Sequence, residues 1–174
     1  MFSPFLKYLL FILLALASAC TKNKTGSLPS DFSFILDVGT LKFGSANHIH
    51  ITIDSKGSGQ FVVYDSEGII QYDQNNIVTY DRDQVIREGE FDLPPDEQER
   101  LWDAIHQNRF FDLTEDYRMA MGYSYAFIMI EADGRKHRID NIGMEVPEIK
   151  ALVEATDGIV PEELDLEYGE GYVP

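Results

Sequence analysis

The chain has 174 residues, with 14 Lys and Arg against 30 Asp and Glu and a formal net charge of −16. That balance excludes a nucleic-acid binder working through a basic footprint, and a hydrophobic share of 44% excludes a disordered chain. The single cysteine, Cys20, excludes an intramolecular disulfide and a cysteine-based zinc cluster.

Residues 1–20, MFSPFLKYLLFILLALASAC, have the three-part build of a secretory signal. Lys7 and the α-amine supply the positive start, residues 8–17 an apolar run, and Ala17, Ser18 and Ala19 the small residues before Cys20. The run is too short for a finished transmembrane helix across a hydrocarbon core of about 30 Å. Ala17-Ser18-Ala19-Cys20 resembles the lipobox of bacterial lipoproteins, with Ala17 where that family usually has Leu. The resemblance implies cleavage after Ala19 and a lipid-anchored, extracytoplasmic protein with acyl chains such as palmitate, a diacylglyceryl group standing on the Cys20 thiol. Thr21, rather than Asp, after the cysteine implies the outer membrane in a Gram-negative host. The expected layout is a signal peptide over 1–19, lipidated Cys20 and a flexible tether over 20–30, an α+β domain over 31–160 and an acidic tail over 161–174.

The tether, Cys20 apart, reads TKNKTGSLPS, polar and without apolar periodicity. Phe32, Phe34, Leu36 and Val38 then alternate with Ser33, Ile35 and Asp37, as in a strand. Residues 48–54 alternate strictly, with Ile49, Ile51 and Ile53 on one face; a turn over 56–59 and a strand over 60–65 complete a hairpin. Residues 69–72, 77–80 and 84–91 are weaker strand candidates. A helix is expected over 95–108, with proline in its first turn, acids behind it and a stripe of Leu101, Trp102 and Ile105. Phe110, Phe111 and Leu113 follow as an apolar knot. Residues 123–131 turn apolar on both faces, which predicts a central strand. Asp133-Gly134 is a hairpin turn, and the polar residues 135–140 return as an edge strand. A second helix is expected over 147–156, with Ile149, Leu152 and Val153 on one side. Residues 161–174 hold five acids and no base, and a disordered or loosely docked tail is expected. The sum is an α+β fold, an antiparallel β-sheet with two helices packed on one face.

The layout Arg109-Phe110-Phe111-Asp112-Leu113, Tyr117, strand 123–131, Asp133-Gly134, Arg138-Ile139-Asp140 and Pro147 resembles a family of bacterial envelope lipoproteins with an α+β domain of unknown function, over roughly residues 31–160. The hairpin–helix ending is also similar to emfourin, a small protein inhibitor of thermolysin-like metalloproteases. That likeness brings no inhibitory residue onto this chain.

His48 and His50 stand two apart on a strand, so they share a face within reach of one metal ion, with Asp54 as a third ligand. The bland alternative is a pair of solvated histidines. Asp81, Asp83, Glu88 and Glu90 read as a charged face guarding a sheet edge, and Asp73-Gln74-Asn75-Asn76 as a solvated turn. Arg135, Lys136 and Arg138 are the densest basic group, either a solvated edge or a site for an acidic partner. No His-Glu-x-x-His, phosphate loop or dinucleotide fingerprint is present, and no catalytic residue is assigned. The expectation is a lipid-anchored envelope protein with a protein- or peptide-binding or structural role. Its partners are the bilayer, through Cys20, and an envelope protein, with no nucleic acid and no cofactor beyond the covalent lipid. Alternatives are an inhibitor of an extracytoplasmic metalloprotease and, third, a metal-assisted hydrolase using His48 and His50.

Overall fold

The alternating stretches fold as strands. A computed structural model describes residues 28–40, 47–66, 69–117, 124–143, 145–166 and 168. The expected signal peptide and Cys20 lie outside these residues. In chain order the strands are β1 (Ser33–Thr40), β2 (Asn47–Asp54), β3 (Ser58–Asp65), β4 (Gln71–Tyr72), β5 (Val78–Thr79), β6 (Val85–Asp92), β7 (Ser124–Ala132) and β8 (Arg135–Ile142). Six form one antiparallel sheet in the order β6-β3-β2-β1-β7-β8, and β4 pairs with β5 alone.

Two helices, α1 (Pro95–Gln107) and α2 (Pro147–Asp157), pack on one face of the sheet. Each begins on proline, whose missing N–H is no loss in the first turn. Asn108 ends α1 by donating from Nδ2 to the Ala104 carbonyl at 2.8 Å. Leu101 and Ile105 from α1 and Ile149, Leu152 and Val153 from α2 bury against Phe34, Leu36, Ile51, Ile128 and Ile130 of the sheet. Each such side chain, fully buried, contributes about 1.5–3 kcal/mol of transfer free energy. The expected α+β architecture is therefore present, helices on one face.

The opposite face is covered as well. The β4–β5 hairpin lays Val78 on Tyr125, Phe127 and Met129, with Ile35, Ile70, Ile77 and Ile142 around them. This cover is why β7 is apolar on both sides. The hairpin's turn is held by Asp73, whose Oδ1 accepts from the backbone N–H of Asn75 at 2.8 Å and Ile77 at 2.9 Å. The β7–β8 turn uses Asp133 and Gly134 at φ of 52° and 69°, as a two-residue hairpin requires.

Both ends of the domain reach further than expected. Leu28 is buried in the main core, so the folded body starts three residues before 31. Within the segment expected as a disordered or loosely docked tail, the described residues dock through Leu164, Leu166 and Tyr168. Leu164, Leu166 and Tyr168 alternate into the core while Glu162, Glu163 and Asp165 stay exposed. The Tyr168 hydroxyl accepts from Asn141 Nδ2 at 3.0 Å and from the Val146 N–H at 3.2 Å. Among the described residues no helix is long and apolar enough to cross a membrane.

Candidate functional site

The second face of the sheet carries a buried polar cluster where β1, β2 and β3 run side by side. Register places Asp37 of β1 beside His50 of β2, and His48 of β2 beside Tyr64 of β3. All four side chains point to the face that the β4–β5 hairpin covers. Asp37 and His48 are 0% exposed and His50 9%. His48 Nδ1 lies 3.1 Å from Asp37 Oδ1, and His50 Nδ1 lies 3.0 Å from Asp37 Oδ2. The Tyr64 hydroxyl reaches both oxygens, at 3.1 and 3.0 Å. A carboxylate only accepts, so each imidazole carries a proton on Nδ1 and donates it.

Burial pushes the Asp37 carboxyl up, but the hydrogen bonds and charge attraction of His48 and His50 together outweigh it and hold the group below the usual carboxylate range. Burial, then the charge of Asp37, drives the Tyr64 phenol far above its ordinary value. Tyr125 is raised by the same two causes. The cluster is thus one buried anion ringed by donors.

Aromatic rings wall it in. His48 sits between Tyr64 and Tyr125, with ring centroids 5.4 and 5.2 Å away. Tyr80, just after β5, stacks on Tyr64 at 4.8 Å and meets His50 edge-on at 5.7 Å. Gly39 makes the room: a Cβ there would lie 2.7 Å from His48 Cδ2 and 2.8 Å from Cγ. Further along the same face, Tyr72 of β4 donates to Asp140 Oδ2 at 3.0 Å.

The expected metal set does not assemble. His48 and His50 share a face, but both Nδ1 atoms are engaged by Asp37, and each Nε2 points away from that carboxylate. Asp54 sits at the exposed end of β2, where its Oδ1 accepts from the N–H groups of Lys56 at 2.8 Å and Ser58 at 3.0 Å. Among the described residues no group of three or more His, Cys, Asp or Glu is placed to hold an ion. The alternative of two solvated histidines is corrected too, because both are buried. His48 Nε2 is buried with no hydrogen-bond partner among the described residues.

The basic group is divided by strand alternation. Arg135 points to the helix side, with its guanidinium 4.3 Å from the Phe111 ring and Nη2 donating to the Phe111 carbonyl at 3.3 Å. Lys136 lies 3.7 Å from Glu131, and Arg138 donates to the Asn76 carbonyl at 3.2 Å. The three therefore do not form one patch. Glu88 and Glu90 lie exposed on edge strand β6, while Asp81 precedes and Asp83 falls in the short 3-10 turn ahead of it, so the four do not form one face.

Sequence reasoning did not single out Asp37, Gly39 or Tyr64. The period-2 pattern of residues 32–38 puts Asp37 on the less apolar face, and that was the available signal. No protein-family model and no curated protein matches this chain.

Proposed function

We propose that this chain is a lipid-anchored protein of the cell envelope whose α+β domain is a binding module for a protein or peptide partner. The observation that supports the binding role is the placement of polar groups. The cluster most like a reaction centre is buried inside the fold, under the ring of Tyr80. The outer edge of β6, by contrast, stands open to solvent with Ile86 60% exposed. The anchor is supported by the lipobox at Ala17-Ser18-Ala19-Cys20. Seven residues, Thr21 to Ser27, separate Cys20 from the buried Leu28, a span of at most about 29 Å. The domain is therefore tied close to the surface that holds the lipid.

Metabolic labelling with an alkynyl fatty acid tests the anchor. The wild-type chain takes up the label and Cys20→Ala does not. A wild-type chain that stays unlabelled in a lipoprotein-processing bacterium overturns it.

A further inference from the structure

Strand β6 is outermost in the sheet. β3 pairs with one of its edges, and among the described residues nothing pairs with the other. Alternate residues of such an edge turn their N–H and C=O groups outward, ready for another strand. The side chains of β6 divide between two faces. Arg87 and Phe91 lie on the helix side: the Arg87 guanidinium is 5.5 Å from the Phe61 ring centroid, Nη2 donates to the Glu163 carbonyl at 3.1 Å, and Phe91 packs on the main core. Glu88, Glu90 and Asp92 line the other face in a row, all exposed. Asp92 accepts from the Ser58 hydroxyl at 2.9 Å. Glu90 and Asp92 also line part of a hollow of ≈ 480 Å³, with Ser33, Thr52, Asp54 and Gln60.

We propose that the outer edge of β6 is the docking surface for an extended basic segment, added as an antiparallel strand with Lys or Arg at alternate positions across from Glu88, Glu90 and Asp92. This rests on the binding-module reading above and names its partner's chemistry. The unpaired backbone supplies the adhesion, as in other strand additions, and the acid row selects the partner. A second copy of the chain is a poor occupant. Antiparallel pairing of two β6 strands keeps matching faces together, so residues of equal parity meet. In the central registers Glu88 then stands across from Glu88, Glu90 or Asp92 of the other copy, and like charges directly opposite destabilise a sheet. The net charge of −16 opposes the same encounter. Arg82, which donates to Glu88 at 2.6 Å, does so at the surface, with side chains 80% and 55% exposed. Such a pair is weak, and a basic side chain of the incoming strand takes its place.

The test uses the full chain, extracted from membranes into a zwitterionic detergent. The probe is a fluorescent, end-capped peptide with Lys at alternate positions and Thr or Val between. Binding is read by anisotropy and its place by hydrogen exchange. The expected result is slowed exchange over Val85–Asp92. Binding is also expected to weaken at least about tenfold both in Glu88→Lys/Glu90→Lys and for a peptide of equal composition with its lysines consecutive. Exchange unchanged over Val85–Asp92 overturns the proposal, as does equal binding by the charge-reversed variant or the rearranged peptide. A chain that is acylated on Cys20 but shows no protection loses the edge site alone. One that binds the peptide without acylation loses the anchor alone.

Discussion

Replacing Asp37 with Asn keeps the side chain's shape, removes its charge and sets an amide N–H₂ against imidazole N–H groups. With the donors of His48, His50 and Tyr64 left around a neutral group, Asp37→Asn is expected to destabilise the fold by about 3–5 kcal/mol, read from urea unfolding. The pH dependence has a definite sign. The folded Asp37 carboxyl titrates below its unfolded value, so its contribution is full above the unfolded pKa of about 3.9 and is lost as pH falls through the lower folded value. The gap in urea midpoint between wild type and Asp37→Asn is therefore wide at about pH 6 and narrows at about pH 2. Gly39→Ala drives a methyl into the His48 ring and toward the Asn47 carbonyl, at 2.9 Å, and is expected to cost about 1–3 kcal/mol. A Gly39→Ala variant as stable as wild type in the same urea titration contradicts the packing described. The shared face of His48 and His50 was legible from strand period alone. Their partner was not, because Asp37 lies 13 residues from His50 and meets it only through the β1–β2 register.

At the level of elements, both helices, the β7–β8 turn and five strands of the main sheet were legible, since each has a period or a turn signal, while β6, like β4 and β5, read only as a weaker strand candidate. The β4–β5 cover was not. Its strands are two residues each, too short to show a period, and their packing on β7 is what turned a polar-looking face into a second core. The end of the chain misled for another reason: its acids set the overall character, while Leu164, Leu166 and Tyr168 point inward between them. Tyr168→Phe leaves the Asn141 amide and the Val146 N–H without the hydroxyl that accepts from both. The expected loss is about 1–3 kcal/mol, measured as a lower denaturation midpoint with the native circular dichroism retained. A variant matching wild type shows that the segment is not docked through that hydroxyl.

In the anchored arrangement we propose, an acidic body is joined to a short lipid tether. Removing residues 1–19 removes Lys7 and no acid, leaving a formal charge of −17. Anionic headgroups repel such a body, so attachment falls to the acyl chains, each buried CH₂ contributing about 0.8 kcal/mol. Everything in this arrangement depends on the chemistry at Cys20, and the mass of the N-terminal peptide from the membrane-extracted protein tests it most directly. A peptide that begins at Cys20 and carries a diacylglyceryl thioether is the expected result. An N-terminus elsewhere, or a free Cys20 thiol, contradicts the anchored arrangement.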